Sequence, residues 1–200
     1  MKKFVLSVLT FFAFVILIFI LIFGFLFLRY RNWEKSFEND INNEFLIDSE
    51  SIKVIDLGKR FVDFAMSSED VQFLELSIKE AGSILFTTLD SYVGDEIEIE
   101  KMYIQPLDSK WVVYAKTRYQ KISVWISIDL NKDNIQSAQL YITEINVGPL
   151  EISQFFDWVD SINRGIGESI VILNENGLVG RYIENIELKE ASVILKGSRY

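Results

Sequence analysis

Two residue types that carry much of protein chemistry are missing from this 200-residue chain, which contains no cysteine and no histidine. Without cysteine there is no disulfide framework, no thiol nucleophile and no residue for a lipoprotein acyl chain. Without histidine the chain lacks the commonest general base, the Ser–His and Cys–His pairs and the Cys/His zinc sites. Catalysis would need carboxylate or lysine chemistry, and no such site stands out. We therefore expect a protein that is not an enzyme and has no cofactor.

Acidic residues are missing from the first 31 positions, and all 29 of them lie in residues 32–200. That region carries 16 basic residues, so its formal charge is −13. Nucleic-acid binding relies on neutralising phosphates with Lys and Arg, and flat adhesion to anionic lipid needs a basic surface. Both are disfavoured, and no nucleic-acid partner is expected. The simpler interpretation of the charge is solubility.

A long uncharged segment, Phe4–Leu28, is dominated by Phe, Ile, Leu and Val. As a helix rising about 1.5 Å per residue it exceeds the roughly 30 Å hydrocarbon core of a bilayer. A cleaved signal peptide is the alternative, but it has a shorter apolar region and small residues at the cut. No A-x-A-like site follows Gly24, and the segment runs into Arg29-Tyr30-Arg31. The sequence predicts an uncleaved signal-anchor, residues 1–31 with a helix over 4–28.

The orientation of this single-pass anchor follows from the basic residues beside it. Lys2 and Lys3 precede the apolar segment, and Arg29, Arg31 and Lys35 follow it, so the positive-inside rule is nearly balanced. A very short basic N-terminus usually stays in the cytosol. We expect a cytoplasmic (inner) membrane protein with its N-terminus in the cytoplasm. Residues 32–200 would then form one extracytoplasmic domain.

Apolar residues recur at helical spacing in four places after the anchor. A Ser67–Asp70 capping-box variant is expected to open the longest of these helices. The predicted helices cover 32–47, continuing from the anchor, then 59–66, Val71–Val93 and Ile152 to near Gly165.

Alternation of apolar and polar residues predicts the strands. Residues 110–130 fit either a tight hairpin at Gln120-Lys121 or one long bent strand. A change of apolar parity between Ile142 and Ile145 predicts a bulge. The remaining predicted strands are Ile52–Ile55, a strand from Ile97, Ile135–Val147, Ile170–Leu173 before an Asn176-Gly177 turn, Tyr182–Leu188 and Val193–Leu195. Runs of strands with short turns make an antiparallel sheet, so the class is α+β, a curved sheet packed on two or three amphipathic helices.

This order of elements resembles the membrane-anchored YpmS-like proteins and, more distantly, bacterial lipoproteins with a tubular lipid-binding (TULIP-type) fold. The segments that carry the resemblance are Ser67-Ser68-Glu69-Asp70-Val71, Val147-Gly148-Pro149-Leu150 leading into helix Ile152–Ile162, Ile183–Leu188 and Val193–Gly197. It covers nearly the whole chain as architecture, without a sharp motif. The resemblance implies a curved sheet wrapped on a long helix with an apolar interior that accepts lipid. It implies no catalytic residues.

A metal site is not predicted. Asp129, Asn131 and Asp133 have the spacing of a calcium loop, but that loop also needs a glycine at its sixth position and an acid at its twelfth. Those positions hold Asn134 and Leu140. A polar hairpin turn explains the three residues better.

Apolar and aromatic side chains suggest where a ligand would bind, although an ordinary filled core explains them as well. One hypothesis is a membrane-tethered domain that binds a lipid or other hydrophobic ligand. The alternative is a non-enzymatic scaffold or assembly component of the cell envelope that acts through a protein partner. The residues predicted to line the ligand site are Phe73, Leu74, Leu85, Trp111, Trp125, Phe155 and Phe156.

Overall fold

The computed structural model describes residues 2–48, 57–92, 97–107, 110–132, 140–153, 158–172, 174–175 and 181–199. Backbone contacts divide the chain into two compact units, Met1–Asp40 and Ile41–Tyr200. Several predicted features lie outside the described residues, namely the strand Ile52–Ile55, the first part of strand 135–147, the Asn176-Gly177 turn and the side chains of Phe155 and Phe156.

The first unit is one helix, α1, which spans Lys2–Asp40 and is longer than the predicted anchor helix. Its part from Phe11 to Asp40 contains an 18-residue window with a mean hydropathy of 3.2 and no buried residue. By length and composition α1 can cross a membrane or act as a signal anchor. Near its end the rings of Trp33 and Phe37 stack with centroids 4.8 Å apart.

The predicted continuation of the anchor as a helix is confirmed to Asp40, but its predicted end at residue 47 is wrong. A 3₁₀ turn, Asn43–Phe45, is capped by the side chain of Asn42, and Leu46–Asp48 then forms strand β1. An Asn side chain that accepts a backbone N–H competes with helix continuation. Pairing of β1 with a later strand buries Ile47 completely. Tertiary pairing therefore overrides the apolar spacing.

The second unit has antiparallel sheets and three further described helices, which confirms the α+β class. The helices are α2 Gly58–Met66, α3 Ile78–Tyr92 and α4 Trp158–Ile172. The strands are β2 Val71–Ser77, β3 Ile97–Leu107, β4 Lys110–Tyr119, β5 Ile122–Lys132, β6 Leu140–Val147, β7 Leu150–Glu151, β8 Arg181–Leu188 and β9 Ser192–Arg199. One sheet has six strands in the order β1-β3-β4-β5-β6-β7, and the other has three in the order β2-β9-β8.

The hydrophobic core draws on both sheets and on α2 and α3. Helix α3 contacts β1 and β3 of the six-stranded sheet and β2 and β9 of the three-stranded sheet. Its backbone lies so close to β1 that a Cβ on Gly82 would be 2.6 Å from Ile47 Cδ1. Every buried core residue comes from position 47 or later, so the second unit has a core of its own.

The helix predicted from Val71 to Val93 is wrong in its first part, because residues 71–77 form strand β2. Leu74 and Leu76 alternate with exposed neighbours, which is the period of a strand, and β2 pairs with β9. The N-terminal capping box is formed by Ser77 and Glu80, ten residues later than predicted. Glu80 N donates to Ser77 Oγ at 3.3 Å, and Ser77 N donates to a Glu80 carboxylate oxygen at 2.7 Å.

In the meander the structure decides between the two open alternatives for residues 110–130 and confirms the predicted bulge. Residues 110–132 form a hairpin with a two-residue turn, in which Gln120 has a φ of 55°. The bulge between Ile142 and Ile145 is present, because Ile128 pairs with Ile145 while Leu130 pairs with Ile142. A bulge bends its strand and increases the local twist.

Helix α4 starts and ends later than predicted. It runs over Trp158–Ile172, whereas the sequence predicted a helix ending near Gly165 and a strand over 170–173. The two glycines, Gly165 and Gly167, lie inside the helix and do not end it. Ile162 and Ile166 lie one turn apart and line a cavity against the six-stranded sheet, whereas Val171 in the last turn is 54% exposed.

Candidate functional site

An apolar cavity of about 530 Å³ lies between the two sheets and the helices α3 and α4. Its volume falls within the roughly 300–1,000 Å³ that is typical of small-molecule sites. The described residues that line it are Leu85, Thr88, Leu89, Val113, Ile128, Leu130, Leu140, Ile142, Ile162, Gly165, Ile166 and Ile186.

Each wall of the cavity follows from the periodicity of its element. Leu85 and Leu89 are four residues apart on α3, and Ile162 and Ile166 are four apart on α4, so each pair lies on one helix face. The strands β4, β5 and β6 contribute alternate residues from one face of the six-stranded sheet, and β8 contributes Ile186.

The chemistry of the lining is almost wholly aliphatic. Among the described lining residues Thr88 is the one with a polar side chain, and none is charged or aromatic. Thr88 and Gly165 are exposed and Ile162 is 40% exposed, so the cavity opens to solvent between α3 and α4. Such a site can hold an apolar group by burial, with a polar end left at the mouth.

Three polar groups, Asp129 on β5 and Lys110 and Tyr114 on β4, lie on the opposite face of the six-stranded sheet. Asp129 accepts a hydrogen bond from Lys110 Nζ at 2.7 Å, which raises the pKa of Lys110. Burial raises the pKa of Tyr114, and the charge of Asp129 adds to this. Strand alternation separates all three groups from Ile128 and Leu130. None of them faces the cavity.

The structure places the predicted site residues in four different environments. Phe73 is 60% exposed on β2, and Leu74, two positions from the buried Leu76, is in the core. Trp111 is buried, and its Nε1 donates to Lys189 O at 2.8 Å. Trp125 is fully buried on the face opposite Ile128, with Lys101 Nζ 5.3 Å from its ring centroid. Of the described set, Leu85 alone lines the cavity.

Most lining residues were missed because a cavity has no signature in apolar periodicity. Ile128, Leu130 and Ile142 were assigned to buried strand faces. The apolar sequence pattern of such a face is the same whether it packs against a side chain or lines a void. Gly165 was predicted to lie at the end of its helix, so its place in the lining was missed as well.

Comparison of the chain with protein-family models, with curated proteins and with solved structures finds no match. The resemblance to YpmS-like and TULIP-type proteins therefore stays a prediction, and the site must be interpreted from its own geometry.

Proposed function

We propose that this protein is a membrane-tethered domain that binds a hydrophobic ligand, an alkyl chain of a lipid, in the cavity between its two sheets. The observation that carries the proposal is the aliphatic lining of a cavity of about 530 Å³. Burial of an alkyl chain contributes about 0.8 kcal/mol per CH₂ group. The helix α1 supports a membrane lipid as the source of the ligand, because a domain tethered to a bilayer is always close to lipid.

The lining favours a flexible chain over a flat ring or a charged ligand. Aromatic ligands are commonly held by stacking on aromatic side chains, and charged ligands need a paired group. The described lining residues offer neither. An acyl chain needs only apolar walls, and its polar headgroup can stay in water at the mouth beside Thr88 and Ile162.

The proposed location is outside the cytoplasm. Lys2 and Lys3 precede the apolar part of α1, which favours an N-terminus in the cytosol. The domain would then meet lipids of the outer leaflet of the inner membrane. The acidic charge of residues 32–200 supports attachment through α1 rather than through a basic surface.

Photo-crosslinking in nanodiscs tests the proposal with the full-length protein. The discs contain phosphatidylcholine with a diazirine in its acyl chain, and mass spectrometry maps the labelled residues after irradiation. We expect labels on α1, which serves as an internal positive control, and on the cavity residues Leu140, Ile142 and Ile166. Gly165→Leu should remove at least about 80% of the cavity labels, because a side chain at this lining position fills the site.

Gly167→Leu is the matched control. Both glycines lie in α4, and a Cβ at either one would meet no atom of the other described elements within 4 Å, but of the two glycines Gly165 lines the cavity and Gly167 does not. The control should keep its cavity labels. If the wild-type protein is labelled on α1 and nowhere in the cavity, the proposed function is wrong.

A scaffold role in the cell envelope is the second proposal, and one surface feature favours it. Val71 and Phe73 on β2, and Met66 at the end of α2, are exposed apolar residues, with Met66 77% exposed. Apolar residues at such positions can pack against a protein partner. Loss of a co-purifying partner in Phe73→Ser, with cavity labelling unchanged or absent, would support this role.

A further inference from the structure

Helix α4 is attached to the six-stranded sheet by the side chain of Asn163. Its amide oxygen accepts a hydrogen bond from Ile142 N at 2.7 Å, and its amide nitrogen donates to Ile142 O at 2.9 Å. Ile142 pairs with Leu130 of β5 on its other side. One side chain thus occupies both backbone groups that a neighbouring strand would otherwise bind. We call this contact the Asn163–Ile142 pair.

The chain just after α4 is attached to the other sheet in the same way. Asn174 accepts a hydrogen bond from Ile183 N at 2.7 Å, and its amide nitrogen donates to Ile183 O at 3.4 Å. Strand β8, which contains Ile183, is an outer strand of the three-stranded sheet. Residues 158–175 therefore connect the sheets through two side-chain amides.

The part of α4 between these contacts is intrinsically weak. Gly165 and Gly167 lie in its middle, and glycine has a much lower helix propensity than alanine. Among the described residues outside α4, no atom lies within 4 Å of the position that a Cβ would take at either glycine. A helix of low propensity opens locally at lower free energy than the paired strands around it.

Part of this weak segment of α4 also forms a wall of the cavity. Ile162, Gly165 and Ile166 of α4 line the cavity beside Leu140 and Ile142 of β6. The Asn163–Ile142 pair holds these two walls together. Breaking it separates Ile162 and Ile166 from β6 and opens the cavity sideways along its length.

We propose that α4 is a lateral gate of the cavity, that it opens by unwinding at Gly165–Gly167, and that the Asn163–Ile142 pair keeps the side between α4 and β6 closed, apart from the mouth between α3 and α4. An alkyl chain then enters sideways between α4 and β6, with its headgroup outside. This inference rests on the proposed function for the identity of the ligand. Asn163 is a positioning residue, since its described contacts are to β6.

Two substitutions should change the opening of α4 in opposite directions. Asn163→Ala leaves Ile142 N and O without their partner, and we expect residues 158–172 to exchange deuterium about tenfold faster, which corresponds to about 1.4 kcal/mol. Gly167→Ala strengthens the helix without reaching the cavity and should slow exchange about threefold. Exchange in β4 and β5 should not change. The exposed neighbour Arg164→Ala is the control, and mass spectrometry of the full chain in nanodiscs is the measurement.

A timed version of the photo-crosslinking experiment measures entry itself. Vesicles of the diazirine phosphatidylcholine are mixed with probe-free nanodiscs that hold the protein, and samples are irradiated at intervals. Labels on α1 report arrival of the probe in the disc, and labels on Ile142 and Ile166 report entry into the cavity. Relative to α1, cavity labelling should be about tenfold faster in Asn163→Ala and about threefold slower in Gly167→Ala, with the same final yield.

The outcomes separate the gate from the proposed function. Cavity labels that appear at the wild-type rate in both variants would show that lipid binds but enters elsewhere, and the gate would be wrong while the function stands. Labels on α1 with none in the cavity of any variant would overturn both. If Asn163→Ala fails to fold, Gly167→Ala decides the question alone.

Discussion

Arg181 is an unusual residue of the domain, because it is fully buried and no carboxylate of the described residues pairs with its guanidinium. Nη1 donates to Gly197 O at 2.6 Å, and Nη2 donates to Glu69 O at 2.6 Å and Ser67 O at 3.2 Å. The guanidinium carbon lies 5.7 Å from the ring centroid of Phe64. Within the described part of the chain Nε is the one buried side-chain nitrogen or oxygen without a partner. Arg181 therefore joins the loop before β2 to β9.

Arg181→Met should lower the free energy of unfolding by about 3 kcal/mol, because three carbonyl oxygens lose a charged donor. For a chain of this size about 1 kcal/mol corresponds to about 2–4 °C in Tm, so we expect a loss of about 9 °C. Near-UV circular dichroism of the detergent-solubilised protein measures it. Arg164→Met, an exposed matched control, should change Tm by less than about 2 °C. Equal shifts in the two variants would contradict a structural role for Arg181.

At the scale of elements, the boundary between β2 and α3 shows how local and distant forces combine. Ser77 is both the last residue of the strand and the cap of the helix. Glu80 returns the hydrogen bond to Ser77 N and is also bonded by Arg60, whose other guanidinium nitrogen bonds Glu75 O. Burial would raise the pKa of Glu80, but the hydrogen bonds from Ser77 and Arg60 outweigh it and hold the pKa below the usual range of a glutamate.

The capping box formed by Ser77 and Glu80 should contribute pH-dependent stability. A carboxyl group with a lowered folded-state pKa stabilises the fold above its unfolded pKa, and this contribution is lost as the pH falls below about 4.5 through the folded value. We expect Glu80→Gln to be less stable than the wild type at pH 7, by about 1 kcal/mol as for other caps. The difference should shrink toward zero in acid, as thermal unfolding at pH 7, 5 and 3 would show. A difference in stability between Glu80→Gln and the wild type that stays constant with pH would contradict this explanation.

At the scale of the whole molecule, the chain combines an apolar helix of 39 residues with a separate unit that has its own core. The aromatic residues Tyr30, Trp33 and Phe37 follow the apolar part of α1 and contact one another. Amphipathic rings settle at the membrane–water interface, so these three residues are expected to mark the C-terminal end of the candidate span.

Membrane attachment should depend on α1 alone. Leu17→Arg with Leu21→Arg places two charges one turn apart in the apolar part, at a cost of about 2.5–3.5 kcal/mol each at the bilayer centre. We expect this variant to leave the membrane pellet after alkaline carbonate extraction, while the wild type and Leu17→Ala/Leu21→Ala remain in it. Retention of the Arg variant would mean that another part of the chain holds the membrane.

Local pattern was enough wherever a residue's neighbours in sequence decide its structure. The uncharged run of α1, the helix 58–66, the alternation in β4 and β5, and the bulge near Ile142 were all predicted correctly. Apolar spacing alone failed at residues 71–77, because Val71, Leu74 and Ile78 fit a helix while Leu74 and Leu76 fit a strand. Pairing with β9, far along the chain, decided for the strand.

The sequence by itself determined an apolar helix long enough to span a membrane, an acidic α+β domain and the exclusion of thiol and histidine chemistry, because composition and short-range periodicity contain that information. Only the tertiary structure decided that Trp111 and Trp125 are buried by other side chains. It likewise decided that a cavity is surrounded by aliphatic residues of α3, α4, β4, β5 and β6. The physical reason is that a void arises from how distant elements pack. An apolar residue is suited both to packing against another side chain and to lining a cavity, so its identity does not tell the two apart.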